Sequence, residues 1–183
     1  MKKKYAAVFL DRDGTINEEV GYLNSLDKLM IYPRSYDAIR MINASGMKAV
    51  VITNQSGVAR GYFGEDLVRT VNKRIQQEMN QRGARIDAFY YCPHHPEGLG
   101  IYRQTCACRK PATGMLIQAS QELDIDLAES FIVGDMLKDI EAGKRAGTRG
   151  ILVRTGYGKD IQTDEADYIA VDLLDAVKWI LKK

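Results

Sequence analysis

A chain of 183 residues can close one sizeable hydrophobic core, and no composition break or Pro/Gly/Ser-rich linker divides it, so one domain over residues 1–183 is expected. A formal net charge of +2, with Lys and Arg dispersed apart from the run Lys2 to Lys4, argues against a nucleic-acid partner and leaves small-molecule chemistry. The apolar run behind those lysines is interrupted at Asp11, too short for a secretion signal, and no stretch approaches a membrane span; a cytoplasmic location with no membrane contact is expected.

The first apolar run, Ala6 to Leu10, has strand length and ends on Asp11-Arg12-Asp13-Gly14-Thr15. Alternation along a strand would point Asp11 and Asp13 the same way, and Gly14 permits a tight turn. Two carboxylates that close need a counter-ion, and a divalent cation with oxygen ligands in turn attracts a phosphate. A calcium loop of the EF-hand type is excluded, because Ile16 stands where an oxygen ligand belongs and Tyr22 occupies the twelfth position.

A helix follows over Tyr36 to Ala44, with Ile39, Met41 and Ile42 near one face and Gly46 to end it. A second strand, Ala49 to Thr53, runs into Asn54-Gln55-Ser56-Gly57, and Leu67, Val71, Ile75 and Met79 then mark a helix that stops at Gly83. The third strand is Ala88 to Cys92. Met115, Leu116, Ala119 and Leu123 give the next helix, Ser130 to Val133 the fourth strand, Ile140 to Ala146 another helix, and Gly150 to Val153 the fifth strand. Leu173, Leu174, Val177, Ile180 and Leu181 place a last helix at the C-terminus. Strands alternating with helices predict a three-layer α/β fold, a doubly wound parallel sheet covered on both faces. In such sheets ligands bind beyond the carboxyl ends of the strands, where this sequence carries Asp11, Asp13, Thr53 and Gly134-Asp135, with Asp139 four residues later.

All three cysteines and both histidines fall between Cys92 and Cys108. An intracellular Cys-x-Cys pair argues against a disulfide, and Cys92, His94, Cys106 and Cys108 make a Cys₃His set that fills a zinc tetrahedron without an open position, a structural zinc loop of about 92–110. His95 is the alternative ligand. Lys110 lies two residues beyond Cys108, so zinc would also fix Arg109 and Lys110.

Asp11-x-Asp13-Gly14-Thr15, Thr53, Lys110 and Gly134-Asp135 with Asp139 stand in the order of the four motifs of the haloacid dehalogenase superfamily, and the chain resembles its phosphatases. Within them Phe9 to Asn17, Thr53 to Phe63, Tyr91 to Pro96 and Cys106 to Pro111 resemble the small capless group that includes heptose-1,7-bisphosphate 7-phosphatases and histidinol phosphatases, over nearly the whole chain. The resemblance implies a Rossmann-like capless fold and a Mg²⁺-dependent phosphomonoesterase. Asp11 would be the nucleophile and Asp13 the acid and base, Thr53 and Lys110 would steady the transferring phosphoryl group, and Asn54, Gln55, Ser56, Arg109 and Lys110 would contact substrate. Mg²⁺ would sit between Asp11, the Asp13 backbone carbonyl and Asp135. The Cys-x-His spacing of the group favours His94 over His95.

The length of Pro96 to Thr105 matches the heptose enzymes rather than the histidinol phosphatases, which implies removal of the 7-phosphate on the route to nucleotide-activated heptose for lipopolysaccharide or other surface glycans. Val20 before Gly21-Tyr22 and Met136 after Asp135 depart from that pattern, where a His and a basic residue are usual. Asp139 is open between a ligand through water, a partner of Lys110 and a plain surface residue, and Arg60 between substrate recognition and bracing its loop. A receiver-like signalling domain is disfavoured, since its acceptor aspartate would stand where Cys92 does. Weak net charge disfavours a zinc-based nucleic-acid module. Nothing demands more than a monomer.

Overall fold

The computed structural model describes residues 4–183; Lys2 and Lys3 of the basic run lie outside the described residues. Six parallel strands form one sheet: β1 (Ala7–Leu10), β2 (Lys48–Asn54), β3 (Ala88–Cys92), β4 (Phe131–Gly134), β5 (Arg149–Val153) and β6 (Tyr168–Ala170). The spatial order is β3-β2-β1-β4-β5-β6. The chain therefore winds outward one way from β1 and the other way from β4. Between those two neighbours, with Phe9 beside Ile132, the order reverses, and this is where a crevice opens at the carboxyl edge.

Alternation along the strands divides the core. Val8, Leu10, Val51 and Val133 face helices α1 (Pro33–Ala44), α3 (Glu65–Gln81) and α6 (Leu173–Ile180), contributing Ile39 and Ile42, Val71, Ile75 and Met79, and Val177 and Ile180. Ala7, Phe9, Val50, Ile52 and Ile132 face α4 (Gly114–Glu122) and α5 (Leu137–Ala146) through Met115, Leu116, Ala119 and Ala142. Both faces are covered, as the alternation of strands and helices predicts.

The departures are local. Helix α1 starts at Pro33, not Tyr36, because proline at the first helical position needs no amide partner. Helix α5 starts at Leu137, not Ile140, because the Asp139 side chain caps it, accepting from the Met136 amide at 3.1 Å. Strand β6 and the four-residue α2 (Ser56–Ala59) were not anticipated; each is too short for its periodicity to stand out. Strand β1 ends at Leu10, so Asp11 and Asp13 are not placed by strand alternation. A turn closed by the Gly14 amide donating to the Asn17 carbonyl at 2.7 Å, with Gly14 at φ +83°, brings both carboxylates to the crevice.

Candidate active site and metal sites

A cleft of about 290 Å³ lies over the crevice, lined by Asp11, Asp13, Thr53, Asn54, Gln55, Ser56, Lys110 and Asp135 from the expected set. Asp11 leaves β1 at the reversal point, its amide donating to the Val133 carbonyl of β4 at 2.9 Å. Its carboxylate Oδ1 accepts from Lys110 Nζ at 2.8 Å. The same ammonium donates to the Ile52 carbonyl at 2.7 Å and pairs with Asp139 Oδ1 at 2.7 Å. The ammonium thus makes two hydrogen bonds and balances the charge of two carboxylates. Asp139 pairs with Lys110 and is fully buried, so it is not a plain surface residue.

Asp13 sits across the cleft in a different setting. Arg12 reaches it with Nη2 to Oδ2 at 2.9 Å and Nε to Oδ1 at 3.3 Å, Asn17 Nδ2 donates to Oδ1 at 2.9 Å, and Gln55 Nε2 donates to Oδ2 at 2.9 Å. Gln55 Nε2 also donates to Thr53 Oγ1 at 2.9 Å, which leaves the Thr53 hydroxyl proton for a ligand. Burial works to raise the Asp13 carboxyl, but the Arg12 charge and these hydrogen bonds outweigh it and hold it below the usual carboxylate range. Asp11 goes the other way: burial lifts it to about 6, against the pull of Lys110 and with the repulsion of Asp139. Burial and the Asp11 charge push Asp135 further, to about 8, although the Tyr157 amide donates to its Oδ2 at 2.8 Å. Lys110 is held above its ordinary value, the two carboxylates overcoming the cost of burial.

Asp11, Asp135 and Asp139 bring carboxylate oxygens within 4.8 Å of one another against the single ammonium of Lys110. Such an excess of buried negative charge fits a divalent cation with oxygen ligands, which would reverse the upward shifts of Asp11 and Asp135. Asp11 and Asp135 line the cleft, whereas Asp139 lies behind them, its Oδ1 paired with Lys110 and its Oδ2 accepting from the Met136 amide, so Asp11 and Asp135 are the carboxylates best placed to ligate. Backbone closes around Asp135: a Cβ on Gly14 would fall 2.1 Å, and one on Gly156 2.2 Å, from its Oδ2. Side chains at those two positions would displace the Asp135 carboxylate from the cleft.

Beside the cleft, Cys92, His94, Cys106 and Cys108 converge. Cys108 Sγ lies 2.9 Å from Cys92 Sγ and 3.0 Å from Cys106 Sγ, and His94 Nδ1 is 3.4 Å from Cys108 Sγ. Burial raises the Cys106 thiol, but contacts with Cys108, Cys92 and His94 outweigh it and bring it down to about 7, toward the thiolate that a metal takes. Four soft donors around one point fit zinc in a closed, structural site. His95 is turned away, its Nδ1 accepting from the Glu97 amide at 3.1 Å.

Residues 107–176 match the family model described as HAD-hydrolase-like. The chain is 45% identical over 184 residues to the D-glycero-β-D-manno-heptose-1,7-bisphosphate 7-phosphatase of Pasteurella multocida, covering 98% of this chain and 97% of that one. The enzyme of the same name from Escherichia coli K12 is 42% identical over 187 residues, covering 100% and 97%. The chain belongs to this phosphatase family. A crystal structure of D,D-heptose 1,7-bisphosphate phosphatase from B. bronchiseptica, complexed with magnesium and phosphate, superposes with a TM-score of 0.86 at 32% identity, over 97% of this chain and 98% of that one.

Two of the expected substrate contacts, Asn54 and Arg109, also make contacts within the protein. Asn54 clamps the backbone of Lys110 from both ends of its amide, Nδ2 donating to the Lys110 carbonyl and Oδ1 accepting from the Lys110 amide, each at 3.0 Å. Arg109 does not line the cleft; its Nη1 donates to the His94 carbonyl at 3.2 Å, inside the zinc loop. Residues that sequence reasoning passed over also line the cleft: Glu19, Tyr22, Phe63, Lys138 and Tyr157. Lys138 carried a signal, since a lysine in the first turn of a helix opposes the helix dipole and α5 otherwise places its basic residues in its last turn.

Proposed function

We propose that the chain hydrolyses the 7-phosphate of D-glycero-β-D-manno-heptose 1,7-bisphosphate, retaining the phosphate at carbon 1, as a step toward nucleotide-activated heptose. The observation that carries the reading is the fully buried Lys110 ammonium bonded to Asp11 at the reversal point of the sheet, beside Asp135 and across the cleft from Asp13. The β anomer is favoured by the names of the relatives at 40–45% identity.

An Asp11 carboxylate oxygen attacks phosphorus in line, the bond from phosphorus to the C7 oxygen breaks, and Asp13 delivers a proton to the departing alkoxide. Water then attacks the aspartyl phosphate while Asp13 takes its proton, releasing phosphate and the Asp11 carboxylate. Asp13 is ionised in the free protein, ready for the second half; for the first it must gain a proton as the anionic phosphate arrives and raises its affinity for one. Thr53 donates its hydroxyl to a phosphoryl oxygen, joined by the α2 end carrying Gln55 and Ser56, and Lys110 keeps a fixed positive charge beside the nucleophile. Mg²⁺ held by Asp11, Asp135 and the Asp13 backbone carbonyl would neutralise charge on the transferring phosphoryl group. Zinc held by Cys92, His94, Cys106 and Cys108 would fix the loop that carries Lys110. Lys138, which lines the cleft together with Glu19, whose carboxyl feels its charge, faces the retained phosphate. The same reading treats the chain as a monomeric, cytoplasmic, single-domain enzyme.

The test is phosphate release, with Mg²⁺ present, from both anomers of the bisphosphate and from histidinol phosphate. A preference in kcat/KM for the β anomer is expected, whereas a preference for histidinol phosphate would overturn the assignment.

A further inference from the structure

Helix α3 buries Val68, Val71, Ile75 and Met79, and among them, 7% exposed, one polar side chain, Asn72. Its Oδ1 accepts from Arg12 Nη1 at 3.0 Å. Arg12 is itself buried, 1% exposed, and turns its remaining edge to both oxygens of Asp13. Sixty residues apart in sequence, Asn72 thus fixes the one guanidinium that holds the Asp13 carboxyl.

We propose that Asn72 is a positioning residue for Asp13, acting through Arg12; this rests on the proton-transfer role assigned to Asp13 above. A guanidinium is a rigid planar fork, so anchoring Nη1 at α3 sets the angle at which Nε and Nη2 meet the carboxylate. Without the acceptor at position 72, Nη1 would be a buried donor with no partner, and the fork would rotate to find one, carrying the Asp13 carboxyl with it. A group that must reach both a departing alkoxide and an attacking water tolerates displacements of only about 0.5 Å. Asn17 and Gln55 still hold Asp13, so the effect of losing Asn72 is smaller than that of losing Asp13 itself.

The readout that separates positioning from bulk stability is leaving-group dependence. An activated aryl phosphate leaves without a proton and an alkyl phosphate does not, so a misplaced acid slows only the second. We expect Asn72→Leu, which keeps the volume and removes the acceptor, to lower kcat/KM for alkyl phosphates about tenfold or more while changing that for 4-nitrophenyl phosphate less than about threefold. Asn72→Asp, which keeps an acceptor oxygen for Arg12, should follow the unsubstituted enzyme across the same series. If Asn72→Leu does not fold, Arg12→Lys decides, because a single ammonium cannot bridge Asn72 and both Asp13 oxygens. An equal loss for all substrates, no loss at all, or a steep dependence in Asn72→Asp would each overturn the proposal. Asp13→Asn, measured alongside, separates its failure from that of its premise. A flat dependence in Asp13→Asn withdraws the role of Asp13, whereas a steep one there with a flat one in Asn72→Leu removes only Asn72.

Discussion

Replacing Lys110 by Met keeps most of the volume and removes the charge at a site where both partners are buried: the Lys110 and Asp139 side chains are 0% exposed and that of Asp11 is 10% exposed. The substitution strands two carboxylate oxygens and the Ile52 carbonyl without a donor. Removing one member of such a pair costs about 3–5 kcal/mol, mostly the penalty of an uncompensated buried charge. For a chain of this length each kcal/mol moves Tm by about 2–4 °C, so Lys110→Met should melt about 6–20 °C lower than the unsubstituted protein in EDTA. Mg²⁺ should recover more of Tm in the variant than in the parent, because the carboxylates then have no other counter-charge. Turnover should fall by about 10²-fold or more, since a fixed positive charge beside the transferring group is gone.

A second substitution tests whether the cost has that origin. Asp139→Asn in the Lys110→Met background removes one of the stranded charges while keeping an oxygen for the Met136 amide, and should return about half of the lost stability with no return of turnover. The assay is thermal unfolding by circular dichroism, with phosphate release measured on the same samples. A Lys110→Met protein melting within about 2 °C of the parent, or a double variant destabilised by the plain sum of the single effects, would refute the reasoning.

Three further outcomes are expected. Asp11 and Asp135 bind protons more tightly in the folded protein, at about 6 and about 8, than the ordinary 3.8 of the unfolded chain. Their contribution in metal-free protein is therefore full below about pH 4 and lost as pH rises through 6 and 8. Mg²⁺ displaces those protons, so the Mg²⁺-induced rise in Tm should be larger at about pH 8 than at about pH 5, and a rise independent of pH would contradict it. Chelation of zinc should lower Tm and turnover together, with metal release followed by a colorimetric indicator; a zinc-free, folded protein with full turnover would show that Lys110 is placed without the loop. Lys138→Ala should raise KM for the heptose bisphosphate about tenfold, the worth of one charge-assisted hydrogen bond, and leave KM for a monophosphate ester unchanged. An equal change in both would remove Lys138 from recognition of the retained phosphate.

What could be read from the sequence and what could not divide along the range of the interactions. The runs Ala6 to Leu10 and Ala49 to Thr53 are recognisable because strands covered on both faces are nearly continuous apolar segments, and Asp11 and Asp135 because each follows a strand directly. Lys110 is legible through its neighbours: Cys108 ties the chain to the Cys₃His set on one side, and Asn54, at the end of β2, grips the Lys110 backbone on the other. Arg109, one residue away, has no such signature. That its guanidinium bonds to the His94 carbonyl is visible only in the folded loop. Asp139 was ambiguous because helical periodicity assigns a face only relative to what packs there, and its partner lies 29 positions back in the chain. Asn72 was invisible for the same reason in stronger form. A polar residue inside the apolar stripe of α3 looks like a defect in the pattern until Arg12, buried from the other side, supplies the donor that it answers. Buried polar residues such as Asn72 are matched to a partner rather than to a local motif, so the cleft aspartates can be located from strand ends while the Arg12–Asn72 pair behind Asp13 becomes visible only once the sheet and α3 have packed together.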